Sequence, residues 1–173
     1  AELESWLQEQ LWPLRRTEQD VQDAEECRRE LEKVVQNTLP DGERWQLVLF
    51  GSCVNGFGMR SSDLDMTALP DGPVEQEAEE VLGRLLRSIG RTADGGEDGD
   101  APFKVKESIM TARPPILKLL RGSTEVDLSV GNRRPLWNTR LLRAYASLDE
   151  RVVSLVLSVK LWAQRHGLVG ASR

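Results

Sequence analysis

LFGSCVNGFGMRSSDLDM, residues 49–66, joins two apolar runs through a glycine- and serine-rich turn and ends on a pair of aspartates. The run 46–50 before Gly51 is the right length for a buried strand, and the alternation over 63–69, closed by Pro70-Asp71-Gly72-Pro73, reads as a second one. Asp63 and Asp65 stand two apart on that strand, so both side chains leave on the same face with Cα atoms roughly 7 Å apart. Two carboxylates so placed can share divalent ions. Gly51-Ser52 closes the first strand, where free backbone N–H groups form an anion-binding nest or helix N-terminus, and the Ser52 hydroxyl adds a donor for a nucleotide's terminal phosphates. Each feature alone is commonplace, since Asp-x-Asp is mostly a solvated strand end and Gly-Ser mostly a turn. A third carboxylate changes the weight of the pair. Asp127 lies among apolar neighbours in TEVDLSV, residues 124–130, and Asp is both depleted from strands and costly to bury unpaired. If that strand neighbours the Asp-x-Asp strand, the three carboxylates can hold two Mg²⁺ ions about 3.5–4 Å apart.

Helical periodicity flanks this centre. Leu3, Trp6, Leu7 and Leu11 recur at helical spacing before Pro13, and Thr17 with Asp20 forms a capping box for a second helix that ends near Pro40. Asp41-Gly42 signals a turn. Apolar residues at 74, 78, 81, 82, 85, 86 and 89 mark an amphipathic helix over 74–89, followed by an acidic, glycine-rich exit loop over 92–100. The stretches 103–110, 116–120 and 125–130 read as strands, the last two as a hairpin across Arg121-Gly122-Ser123. Helices return over 136–148 and, after a capping signal at Ser147 with Glu150, over 152–166, stopping at Gly167. The order α-α-β-β-α-β-β-β-α-α predicts an α/β (α+β) domain in which helices flank a mixed sheet.

The chain has 173 residues, enough for one domain with a core that needs no disulfides, and no apolar run approaches the roughly 20 residues of a membrane helix. Cys27 and Cys53 are its only cysteines, a usage that points to a reducing, intracellular compartment, cytoplasmic in the first instance, with nucleus or mitochondrion as alternatives. The net charge of -5 argues against a nucleic-acid partner until it is divided: residues 1–102 carry -13 and residues 103–173 carry +8. The basic part contains Arg133, Arg134, Arg140 and Arg143, which are candidates for phosphate or RNA contacts.

The blocks LFGSCVNGFGMRSSDLDM, ARPPILKL, EVDLSVGNRRPLWNTRLLRAYASLDERV and LVLSVKLWAQRHGL together resemble the DNA polymerase β-like nucleotidyltransferases, and among them the terminal uridylyltransferases and non-canonical poly(A) polymerases. Order and spacing agree from about residue 46 to 169. The resemblance implies a palm-like catalytic domain over 40–135, N-terminal helices over 1–39 that pack with a helical domain, and the start of that helical domain over 136–173. It further implies attack of an RNA 3′ hydroxyl on the α-phosphorus of UTP or ATP, with release of pyrophosphate assisted by Mg²⁺ or Mn²⁺. Asp63 and Asp65 would bind both ions, and Asp127 the ion that activates the hydroxyl. Gly51 and Ser52 would face the phosphates, Asn138 the ribose with Thr139 beside it, and Lys160 the triphosphate. Asn132 is a weaker nucleotide candidate because a turn role after Gly131 explains it equally well. Some members carry a second phosphate lysine where this chain has Gln164. The family's helical domain runs on past residue 173 and contains a Ser-Tyr pair that supplies a base platform, so the 152–163 helix is expected to expose apolar surface in this chain.

The leading expectation is therefore a template-independent RNA 3′-terminal nucleotidyltransferase of uridylyltransferase type, with a poly(A) polymerase using ATP as the alternative. An inert RNA-binding copy would be marked by loss of a metal carboxylate, and all three are present. Transfer to a small molecule or protein would leave the two helical blocks without a purpose.

Overall fold

The computed structural model describes residues 2–39, 44–60, 62–72, 77–95 and 102–168. Helix α1 (Glu2–Leu11) leads through a short 3₁₀ turn (Trp12–Leu14) to α2 (Glu18–Thr38). Strand β1 (Trp45–Phe50), the single-turn helix α3 (Ser52–Asn55), strand β2 (Leu64–Pro70) and α4 (Ala78–Gly95) follow, then β3 (Lys104–Ile109), β4 (Ile116–Arg121), β5 (Thr124–Val130), α5 (Arg134–Leu148) and α6 (Glu150–Arg165). The predicted element order holds, with α3 and the 3₁₀ turn added.

The five strands form one mixed sheet in the order β1-β2-β5-β4-β3, in which only β2 and β5 run parallel. Period-two alternation separates its faces. Leu64, Met66 and Ala68 of β2, Leu117 and Leu119 of β4, and Val126 and Leu128 of β5 bury against Ala24, Cys27, Leu31 and Val35 of α2 and Val81, Leu82, Leu85 and Ile89 of α4. The opposite face of β2, β5 and β4 is left to Asp65, Asp127 and Lys118. Side chains of α2 close the free edge of β1: Gln36 Oε1 accepts from Trp45 N–H at 3.0 Å, Glu32 Oε2 from Leu47 N–H at 2.8 Å, and Arg28 donates to Leu47 O at 3.2 Å.

The two N-terminal helices take different partners. Leu11 at the end of α1 joins a small second cluster with Met59 and Leu157 of α6, whereas α2 belongs to the sheet's own core. On α6 only Leu157 is buried, and Leu155, Val159 and Trp162 are more than half exposed.

Some boundaries differ from the sequence reading. The Thr17–Asp20 capping box forms with both reciprocal bonds. The Ser147–Glu150 cap does not: Asp149 caps α6 by accepting from Arg151 N–H at 2.8 Å, and the Ser147 hydroxyl donates to Ala144 O within α5. Helix α4 runs on to Gly95, through the first residues of the expected acidic exit loop, whose remainder at 96–100 lies outside the described residues, as do Asp41-Gly42 and Pro73. Helix α5 begins two residues early, with Pro135 in its first turn, where a missing N–H costs nothing. No helix among the described residues is long and apolar enough to cross a membrane.

Candidate active site

The parallel pairing of β2 with β5 sets Asp65 directly beside Asp127, and the antiparallel pairing of β5 with β4 sets Lys118 on the other side of Asp127. Sequence spacing alone could not give this juxtaposition, because it depends on two registers formed across the whole domain. Asp63 immediately precedes β2. The loop that delivers it is tied to the N-terminal segment, since Met59 bridges Arg15 and Arg60 N–H donates to Leu14 O at 3.0 Å.

Asp65 faces the Gly51 turn. A Cβ placed on Gly51 would lie 2.4 Å from Asp65 Oδ2, and Gly51 adopts φ +73, so the position requires glycine for two separate reasons. The Gly51 N–H is not free for an anion, as the strand-exit reading expects; it donates to Thr139 Oγ1 at 2.9 Å. Thr139 in turn donates to Pro135 O at 2.7 Å, so it holds the turn against α5. Asn138 is exposed beside it on the same helix. Asn132 donates its backbone N–H to Thr67 Oγ1 at 3.1 Å, which fits its turn role after Gly131. Lys160 reaches back from α6 and donates to Phe57 O at 2.8 Å in the loop after α3, where Asn55 Oδ1 accepts from Phe57 N–H. Burial holds the Lys160 ammonium below its ordinary pKa. Trp137 stands exposed with the Arg140 guanidinium 5.2 Å from its ring centroid.

Negative charge dominates the face. Burial, then the charges of Asp127 and Asp63, push the Asp65 carboxyl up to about 6, and burial with Glu125 and Asp127 raises Asp63. Lys118 supplies the compensating cation at Asp127, with Nζ 3.0 and 3.2 Å from its two oxygens. Lys106 likewise pairs with Glu125. Neither lysine nor Glu125 was singled out from the sequence; the usable signal was a lysine at the face-matched position of ILKLLR. Among the described residues no three Asp, Glu, His or Cys side chains converge on a metal-sized point, with the Asp127 carboxylate drawn to Lys118 and that of Asp65 packed on Gly51. The donor set nevertheless fits a divalent cation: it is all oxygen, and its repulsion is only partly relieved by the protein's own ammonium group.

This repulsion predicts a pH signature. Unfolded, Asp65 ionises near its ordinary 3.8; folded, near 6, so its ionised form disfavours the fold by an amount that is absent below about pH 4 and complete above about pH 6. Without divalent ions at pH 7.5, Asp65→Asn should raise stability by about 1–3 kcal/mol, several degrees in Tm, after allowance for screening on the exposed side. The gain should vanish at pH 4 in calorimetric melts; a gain unchanged between the two pH values would refute the electrostatic origin.

Known proteins share the sequence pattern and the fold. Residues 3–147 match the family described as poly(A) RNA polymerase, mitochondrial-like, central palm domain. The chain is 37% identical over 159 residues to the Xenopus laevis poly(A) RNA polymerase GLD2-B, covering 89% of this chain and 29% of that protein. Against the curated relatives it matches, the chain spans less than a third of their length. Among solved structures, mtPAP in complex with ATPgammaS superposes with a TM-score of 0.81 at 25% identity, covering 98% of this chain and 38% of the other. A cytoplasmic RNA terminal U-transferase superposes with 0.72 at 27% identity, covering 95% and 46%.

Proposed function

The chain belongs to the family of the mitochondrial-like poly(A) RNA polymerase central palm domain, and from that premise we propose that it is the catalytic palm of a template-independent RNA 3′-terminal nucleotidyltransferase using ATP. The observation that carries the reading is the side-by-side placement of Asp65 and Asp127 on parallel strands, with Asp63 two residues away and the Gly51-Ser52 turn against Asp65. In this reading residues 40–135 form the catalytic domain, joined by α2 in its core, while α1 and residues 136–173 belong to a helical domain.

Asp63, Asp65 and Asp127 would hold Mg²⁺ or Mn²⁺. When bound there, the metal ions favour the ionised 3′ hydroxyl and neutralise charge on the departing pyrophosphate. The protein's own side chains do the positioning, and most of such catalysis is positioning with charge neutralisation. In this reading the Ser52 hydroxyl and the Lys160 ammonium would meet the triphosphate, and Asn138 would both donate to and accept from ribose hydroxyls. Thr139 acts on the nucleotide indirectly, by fixing the Gly51 turn. Lys118 holds the Asp127 carboxylate in an ion pair and would have to release it for Asp127 to serve as a metal ligand.

ATP is preferred over the uridylyl reading because the curated relatives at 33–37% identity are poly(A) RNA polymerases. The likeness to a terminal U-transferase at 27% identity favours UTP as the second reading. The full-length protein, given an RNA primer, Mg²⁺ or Mn²⁺ and each nucleoside triphosphate in turn, should extend the primer best with ATP. Preference for UTP would transfer the assignment to the second reading, and no extension with any of the four would remove both.

A further inference from the structure

The carboxylate face carries a fourth acid that the three-aspartate site does not use. Glu125 stands two residues before Asp127 on β5, so its side chain leaves on the same face. The parallel register pairs Leu64 with Val126 and Asp65 with Asp127, and its continuation one position outward brings Glu125 beside Asp63. Of the charges that raise the Asp63 carboxyl, that of Glu125 is the largest, ahead of Asp127.

Its counter-ion comes from two strands away. β3 and β4 pair Val105 with Leu119 and Glu107 with Lys118, so Lys106 is the extra residue of a β-bulge, a device that re-aims a side chain. From there its ammonium reaches past β4 to Glu125 Oε1 on β5. The other oxygen, Oε2, is buried with no hydrogen-bond partner among the described residues. The charges of both members of the pair reach Asp63, Glu125 raising its carboxyl and Lys106 lowering it. An unmatched buried oxygen is a cost, and a fourth carboxylate on a face that already repels itself adds to it. Stability alone gives no reason for the acid to be here. A divalent cation does, since its affinity rises with the negative charge gathered around it.

We propose that Glu125 acts through Asp63 to strengthen divalent-cation binding, and that the bulge-borne Lys106 limits this effect. Glu125 is a positioning residue: it adds negative field at Asp63 without ligating the cation, and Lys106 offsets part of that field. The inference rests on the reading of Asp63, Asp65 and Asp127 as the metal-holding set.

Mn²⁺ binding to the full-length protein, read from the electron paramagnetic resonance of the free ion without nucleotide or RNA, tests it through two variants that break the same ion pair. Glu125→Gln should weaken binding about three- to tenfold, and Lys106→Met should strengthen it by a similar factor, with the double variant close to wild type. A purely structural ion pair would move both single variants in the same direction, by loosening the face on which the aspartates sit. Mn²⁺ binding that is lost in Asp127→Ala but shifts the same way in both single variants, or in neither, would overturn this inference alone. No binding by the wild type, or binding undiminished in Asp127→Ala, would remove the metal-holding set and the inference with it.

Discussion

Asp127→Ala in the full-length protein is expected to reduce nucleotide incorporation by about 10³-fold or more while leaving the fold intact. The loss follows from removing a carboxylate whose neighbours cannot replace it: Asp65 is packed against Gly51, and Lys118, released from its 3.0 Å contact, leaves a positive charge where a negative ligand is needed to hold a metal cation. Stability should change little, because the single ion pair that Asp127 loses is offset by the fall in the repulsion felt by Asp65 and Asp63. Steady-state extension of a primer and a thermal melt on the same preparation separate the two effects. Near-normal incorporation by a folded Asp127→Ala protein would remove this residue from the site.

Gly51→Ala should damage stability and activity together. The added methyl would lie 2.4 Å from Asp65 Oδ2, closer than real contacts allow, on a backbone at φ +73 that disfavours a side chain in any case. Relief requires either that Asp65 leave its place or that the turn between β1 and α3 open, which sacrifices the hydrogen bond from Gly51 N–H to Thr139. A destabilisation of roughly 2–4 kcal/mol is expected, with a fall in incorporation of about 10²-fold or more as the Asp65 carboxylate is displaced. A smaller stability loss from Gly51→Ala in an Asp65→Ala background, where only the Asp65 Cβ position at 3.5 Å remains, than in the wild type would confirm that the clash is with this carboxylate, whereas an equal loss in the two backgrounds would place the strain elsewhere.

These two positions mark how far the sequence could be read. The strand containing Asp65, which begins one residue after Asp63, the separate strand containing Asp127 and the capping box at Thr17 were legible because each is a local pattern, of period two or of i to i+3 spacing. That Asp65 and Asp127 are direct neighbours was only a condition on strand order, and strand order is decided by which faces bury against α2 and α4. The bond from Gly51 to Thr139 spans 88 residues and turned an expected anion donor into a fixed part of the turn. Lys118 was invisible for the same reason: its meaning lies in its register with Asp127, and in the sequence it is one lysine in an apolar strand. At the start of α6 the local signals themselves competed: Asp149 accepts from Arg151 N–H, and the Ser147 hydroxyl donates to Ala144 O within α5. The continuation of α4 to Gly95 shows the reverse failure, in which residues 92–95 were read as the start of a loop from the acidic, glycine-rich composition although they are helical.

The central claim, that the carboxylate face joins a nucleotide to an RNA 3′ hydroxyl, is tested most directly by measuring pyrophosphate release and nucleotide incorporation together. The full-length protein is supplied with α-labelled ATP, Mg²⁺ or Mn²⁺ and an RNA ending in either a 3′ hydroxyl or a 3′ deoxy terminus. One pyrophosphate released per adenylate incorporated, with both signals absent on the 3′ deoxy RNA and absent in Asp65→Ala, is the predicted result. Incorporation that persists in Asp65→Ala, or pyrophosphate release that does not require the RNA 3′ hydroxyl, would contradict it.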